Sequence, residues 1–496
     1  MASTFFGLDI GKTGLYAANV GMNTSLQNIS NQNTKGYSRQ VASQQARSAL
    51  NVYRKFGMVG TGVEVTSIDR VRDIYYDNKY RSNNAKLGEQ NSKYTYGIQM
   101  EDSFNEIATE GFTTLYQDMF STLQELNGAP EDIATRTEFL NYSQSLCDYM
   151  NHVQDNLISL QKEVNLDVVN SVERMNTYTE QIASLTKQIN IVELAGGTAN
   201  ELRDQRDNLL DDLSDIAPVK VTETKQEGGK TEYAVRVGDF TLVHNYENHP
   251  LTLVSRENPN NPYDADGLYD IYYYYDETDG SGTIFDPQSM NLKGSLRGLL
   301  DVRDGNNEDT SSTEPVDYKG IPYYVNKVVK FKEAIADAFN TVHDNGINLY
   351  GNSTSGVKIF EIDSAGNISV NEDLLKDPSL LATTKSPIQN GIANANLVAD
   401  FLQIQDTDII NNGTASEYLE GIVTEMGVST QKAKLFMNNF ENIVKTADSQ
   451  RQSVSGVDED EETMNLQKYR DAYNLCSHVI SVMAQCYNKL INETGV

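Results

Sequence analysis

The residue runs that could do chemistry fail on their spacing. Gly7-Leu-Asp-Ile-Gly11-Lys12-Thr13 has the composition of a phosphate loop, but three residues separate its glycines. That loop needs four, with a strand before it. Lys12 therefore reads as a solvated residue on a helix face. The five histidines stand at 152, 244, 249, 343 and 478. His244 and His249 do not share the i, i+4 face of a helix, and on a strand they point to opposite sides. With no Cys or carboxylate set beside them, surface or hydrogen-bonding roles are expected rather than a metal site. Neither HExxH nor GxSxG occurs, which removes the two commonest hydrolase signatures. Asp276-Glu-Thr-Asp-Gly280 and Asp301-Val-Arg-Asp-Gly305 resemble calcium loops in composition only. Neither has oxygen ligands at the first, third and fifth positions with Gly at the sixth, so both read as solvated turns. The acids at 458–462 fit the capping of a helix N-terminus, where carboxylates complement the dipole. Tyr272–Tyr275 could form a carbohydrate platform, but an amphipathic strand with its phenol tips in water is preferred. Cys147, Cys476 and Cys486 form no CxxC and no even framework, so the chain does not rely on disulfides.

Composition narrows the classes further. The 496 residues carry a net charge of −30, against the basic face a nucleic-acid binder needs. No apolar run is long enough to span a bilayer. The start lacks a basic n-region and an apolar h-region, so no cleaved secretory signal is expected. Charge is uneven: residues 1–72 net +5 and residues 457–496 net −4. Opposite signs favour the two ends meeting in space.

The elements that would position these residues are mostly helices. Residues 4–31 carry Leu8, Leu15, Met22 and Ile29 every seven positions, with Gly11, Ala18 and Ser25 on an adjoining small-residue seam. The helix should stop at Asn28-Ile-Ser-Asn-Gln-Asn-Thr-Lys-Gly36, with Gly36 left-handed. An extended stretch then runs to about residue 65. Residues 73–127 look helical. From 131 to 194 long helices are expected, with weaker support in their first part. A stripe from Leu157 to Val192 steps by three or four residues, and helix resumes at 199–216. Strands are expected at 219–221, 232–237, 240–244, 251–254 and 271–275. Helix returns at 296, over 323–345 and over 415–450, with a hairpin at 357–370. The last helix has two heptad rows, Leu466, Tyr473, Ile480, Tyr487 and Tyr469, Cys476, Met483, Leu490. Each terminal stripe is too narrow to make a core alone and needs a partner, either the other terminal helix or another subunit. Ile480 and Met483 are expected to be buried only on assembly.

The fold class that results is mainly α with a β-rich insert. Terminal coiled-coil helices make up 1–72 and 456–496. Both halves of the chain, 73–216 and 295–455, supply a long helical bundle. A small central β domain occupies 217–294.

Several runs resemble a known family. Leu15-Tyr-Ala-Ala-Asn19, then Asn28, Asn31, Thr34, Gly36 and Tyr37 in the form Asn-Ile-x-Asn-x-x-Thr-x-Gly-Tyr, are similar to the signature of flagellar axial proteins. The Ser38-Arg39-Gln40 ending most resembles the hook-associated protein 1 family. Ser453-Val-Ser-Gly-Val-Asp-Glu-Asp-Glu-Glu462 and the ending Leu490-Ile-Asn492 resemble its C-terminal signature. Leu202-Arg-Asp-Gln-Arg-Asp-Asn-Leu-Leu210, Gly294-Ser-Leu-Arg-Gly-Leu-Leu-Asp301 and Ala338-Phe-Asn-Thr-Val-His343 with Gly346 are further matches. One departure is Asn19, where the family usually has Gln. The resemblance implies a structural protein, not an enzyme, without cofactors. It implies export through the flagellar type III apparatus, an export chaperone at the C-terminal helix, and assembly into an axial ring of copies. Hook protein would lie below that ring and the second junction protein, hook-associated protein 3, above it, with no nucleic acid and no membrane. Hook or distal rod protein is the alternative within the class. An exported carbohydrate-binding or enzymatic module in the β insert is the alternative outside it.

Overall fold

The computed structural model describes residues 6–51, 57–105, 111–225, 231–276, 278, 280–386, 394–410 and 413–493. Arg54 and Lys55, two of the N-terminal bases, and the first five residues lie outside them. Helix α1 (Phe6–Ser30) leads into strands β1 (Gln40–Ala46), β2 (Leu50–Asn51), β3 (Met58–Val59) and β4 (Val63–Arg70). Helices α2 (Ile74–Asn105), α3 (Phe112–Gly128), α4 (Ile133–Leu194) and α5 (Asn200–Ile216) follow. Seven strands come next: β5 (Val219–Lys225), β6 (Thr231–Val237), β7 (Phe240–His244), β8 (Glu247–Asn248), β9 (Thr252–Ser255), β10 (Tyr269–Asp276) and β11 (Ser281–Ile284). Then come α6 (Ser295–Asp304), α7 (Ile321–Asp344), the hairpin β12 (Phe360–Ile362) and β13 (Ile368–Val370), α8 (Glu372–Lys376), α9 (Asn396–Gln403), α10 (Ala415–Ser455) and α11 (Glu459–Glu493). The architecture is mainly helical with a β-rich middle.

The chain divides into two compact units. The first comprises Met1–Ala85, Arg174–Pro250 and Phe440–Val496. In it α1 lies along α11, and β1 pairs antiparallel with β4. Strands β5 to β8 form one antiparallel sheet in chain order. Its core sets Tyr233, Val235, Val237, Leu242 and Val243 of that sheet among buried residues that also include Leu210, Leu213 and Ile216 of α5.

The second unit comprises Lys86–Glu173 and Leu251–Asn439. Its three-stranded sheet has the order β11-β10-β9, so the strands of 217–294 make two separate sheets. Its core centres on an aromatic cluster. Phe339 of α7 packs on Phe401 of α9 and on Phe360 of β12, with ring centroids 5.7 and 5.5 Å apart. Phe112 of α3 meets Phe331 of α7 edge-on at 5.3 Å. Such pairs add specific geometry to their area burial.

Two expectations change here. Ile133–Leu194 form one uninterrupted 62-residue helix where several were expected over 131–194, and Leu157 through Ile189 of its stripe are buried except for half-buried Tyr178 and Leu185. Asp301–Gly305 is not a solvated turn. It is the end of α6, with Asp301, Arg303 and Asp304 all buried. Arg297 and Lys93 hold Asp301 at 2.7 Å each, while Asp304 meets Arg303 at 2.6 Å and Arg256 at 3.3 Å. The composition of a calcium loop is here an internal ion-pair network. Paired guanidinium groups let these carboxylates leave water without an unpaired charge.

Candidate assembly interface and its joint

Helices α1 and α11 run antiparallel, because contacts step forward on one as they step back on the other. A Cβ on Gly7 would fall on Met483. One on Gly11 would sit 3.0 Å from Ile480, one on Gly14 2.8 Å from Cys476 Sγ, and one on Gly21 2.6 Å from Tyr469. The seam of α1 is thus made by small residues, with Gly11, Ala18, Gly21 and Ser25 buried. The larger Leu8, Leu15, Met22 and Ile29 flank it and are half-buried. The α11 rows meet these glycines within one chain. Leu466, Tyr469, Tyr473, Cys476, Ile480, Met483 and Tyr487 are half-buried, and Leu490 is exposed. Ile480 and Met483 therefore already have a cover in the chain's own first helix, contrary to the expectation that only assembly covers them. On the other side of α11, Leu475, Val479 and Val482 are 68%, 47% and 42% exposed.

The turn after α1 is built around Asn28, which is fully buried. Its amide donates to Gln40 O at 2.8 Å, and its Oδ1 accepts from Gln40 N–H and from the Tyr37 hydroxyl, each at 2.9 Å. Thr34 Oγ1 donates to Asn31 Oδ1 at 3.2 Å. Gly36 has φ 77°, the left-handed conformation expected of it, and any Cβ there would strike the Asn208 carboxamide. Burial, then Glu201 and Asp204, push the Tyr37 phenol well above its ordinary range.

The basic N-terminal segment finds two acidic partners. Arg39 grips Glu461 at 2.7 Å and Glu462 at 2.9 Å, so the oppositely charged ends do meet. Arg70 turns instead to α5, and Arg72 to both α2 and α5. Arg70 holds Asp204 at 2.8 Å and Asp207 at 2.6 Å, and Arg72 holds Asp77 at 2.8 Å. Arg81 reaches Asp207 at 3.2 Å and Asp211 at 2.7 Å, and Arg451 pairs with Asp211 as well. Burial alone would raise the Asp207 carboxyl, but Arg72, Arg70 and Arg81 hold it well below the usual carboxylate range. The sequence reading missed this cluster. Its signal was present: Asp204, Asp207 and Asp211 fall at i, i+3 and i+7, one face of a helix.

Residues 98–360 match the family profile described as the flagellar hook-associated protein FlgK helical domain. The chain belongs to this family. Flagellar hook-associated protein 1 of Bacillus subtilis (strain 168) is 28% identical over 517 residues, covering 100% of this chain and 99% of that one. The protein of the same name from Escherichia coli (strain K12) is 26% identical over 568 residues, covering 97% of this chain and 98% of its own. A solved structure, the flagellar hook junction protein FlgK from Burkholderia pseudomallei, has a TM-score of 0.59 at 15% identity and covers 76% of this chain and 100% of that one. That likeness is one of fold. As a member of the hook-associated family, this chain has a structural role in the flagellum.

The internal family motifs now have physical content. In Leu202–Leu210, Asp204 and Asp207 bind the N-terminal arginines, and Asn208 fills the space beside Gly36. Arg206 lies 3.8 Å from the Tyr233 ring centroid and 2.9 Å from Glu223. In Ala338–His343, Asn340 accepts from Ile359 N–H at 2.7 Å and donates to Phe360 O at 2.8 Å, docking the β12–β13 hairpin. His343 is fully buried. Its Nδ1 lies 2.8 Å from Val357 O, and its Nε2 accepts from Ala382 N–H at 3.0 Å. Those partners fix a neutral tautomer, and burial lowers its pKa. Among the described residues, no group of three or more His, Cys, Asp or Glu is arranged to hold a metal ion. No described helix is long and apolar enough to cross a membrane.

Proposed function

We propose that this chain joins hook to filament by assembling with copies of itself into an axial ring at the hook tip. The observation that carries this reading is the outer face of α11. Leu475, Val479 and Val482 recur at spacings of four and three and stay exposed while α1 covers the other face. A second heptad row of this kind gains when a neighbouring copy removes it from solvent. Segments 1–72 and 456–496 carry the axial contacts, with α1 and α11 joined by their seam and the outer face of α11 meeting the neighbouring copy. Hook protein contacts the ring below and hook-associated protein 3 above. An export chaperone shields the C-terminal helix before passage through the type III apparatus. The work is mechanical, with no catalytic step. The charged clusters of the first unit support this, since they hold elements together as ion pairs.

Electron microscopy of a strain lacking this chain tests the reading. The expected result is intact hooks without filaments and flagellin shed into the medium. Missing hooks would assign the chain to hook or rod instead, and filaments attached as in the parent strain would overturn the junction role.

A further inference from the structure

We propose that Arg39 is the pin of a joint between α10 and α11, fixing the direction in which α11 leaves the end of α10. Only residues 456–458 separate the two helices. The end of α10 is anchored: Gly456 N–H donates to Gln452 O at 2.7 Å, and Arg451 is held by Asp211 and Asp448. The start of α11 is capped, with Asp458 Oδ1 accepting from Glu461 N–H at 3.0 Å. Caps stabilise each helix end but leave the three linking residues free to set a direction.

Arg39 spans that break with three arms. Its backbone N–H donates to Ser455 O, the last residue of α10, at 2.9 Å, and its carbonyl accepts from Val71 N–H at 2.7 Å. Its guanidinium forks onto Glu461, at 3.1 and 2.7 Å, and its Nε donates to Glu462 at 2.9 Å. Bidentate pairing fixes geometry as well as distance. The neighbouring Ser38 is itself pinned to α5, its N–H and hydroxyl donating to Asp204 at 2.9 and 2.7 Å. The backbone of Arg39 therefore belongs to the anchored part of the unit, while its side chain belongs to α11. Glu462 is 2% exposed, so releasing it strands a carboxylate and favours a swing of α11 toward water. The α11 side chains that meet α1, Tyr469, Cys476, Ile480 and Met483, carry none of these charges.

The proposal does not rest on the junction reading, because it concerns the chain's own conformation. It is tested on the full chain in a Cys476→Ser, Cys486→Ser background, with Cys147 buried. Spin labels are placed at exposed positions 445 and 468 through Lys445→Cys and Lys468→Cys. Pulsed dipolar spectroscopy should give one narrow label-to-label distance. Arg39→Gln and Glu462→Gln should each lose that peak while the thermal melt of the unit is unchanged. Arg39→Lys, which keeps the charge without the fork, should broaden it less. A narrow peak that survives Arg39→Gln would overturn the proposal. So would a parent distribution already as broad as that of Arg39→Gln, or loss of the peak only together with unfolding of the unit.

Discussion

His343 shows how a buried titratable group serves packing rather than chemistry. Its ring bridges Val357 O and Ala382 N–H and is neutral. A protonated ring would place an N–H against the Ala382 N–H. Burial holds its native pKa below the ordinary 6.5. Between those two values the unfolded chain binds a proton that the folded chain refuses, so stability rises with pH through that window and is lost as pH falls below 6.5. Urea unfolding across that range should show this slope, and His343→Phe should remove it. At pH 7 the same variant should cost roughly 2–4 kcal/mol, since it leaves a buried donor and a buried acceptor unpaired. Arg136 makes the related point for a cation. It is fully buried and bonded to Pro130 O, Leu381 O and Thr383 Oγ1, and burial pulls its pKa down to about 10.

The terminal helices owe their fit to glycine. Replacing a helical Gly by Ala ordinarily gains about 1 kcal/mol in helix propensity. At Gly21 the new methyl would meet the Tyr469 ring at 2.6 Å, a contact that must shift. We expect Gly21→Ala to speed amide exchange in α11 despite the propensity gain. Adding Tyr469→Leu should slow it again, and a slower exchange in Gly21→Ala alone would contradict the seam geometry. Gly36 is constrained twice, by φ 77° and by the Asn208 side chain. Gly36→Ala should therefore destabilise the turn by about 1–2 kcal/mol from backbone conformation alone, with a steric term on top. Combining it with Asn208→Gly should recover only the steric part in thermal melts of the chain.

Across the whole chain, the two faces of α11 should respond differently to charge. Ile480→Asp puts a carboxylate beside Gly11 within the chain itself, so it should loosen α1 from α11 in the monomer, read as faster amide exchange in both helices. Leu475→Asp leaves the carboxylate in water until a neighbouring copy arrives. It should leave monomer exchange unchanged and block filament attachment, because burying that charge unpaired costs several kcal/mol in each subunit. Equal effects of the two variants on the monomer would remove the distinction between an internal seam and an outer one.

Much of the molecule was legible in its residues. Heptad spacing marked α1 and α11, and the three- and four-residue steps from Leu157 to Ile189 marked α4, because helical period is written locally in the order of apolar residues. Gly36 announced its left-handed turn for the same reason: only Gly adopts that backbone without cost. Tertiary structure alone decided which residues of each stripe touch. The glycines of α1 lie directly against Tyr469, Cys476, Ile480 and Met483 of α11, since close approach depends on the partner's side chains as well as on period. It also decided where charge is buried. Asp204, Asp207 and Asp301 are separated by long stretches of chain from Arg70, Arg72 and Lys93, and no local pattern states that such charges will meet. Opposite net charge could bring the ends together, but only the folded chain could choose Arg39 for the acids of α11 and Arg70 for those of α5.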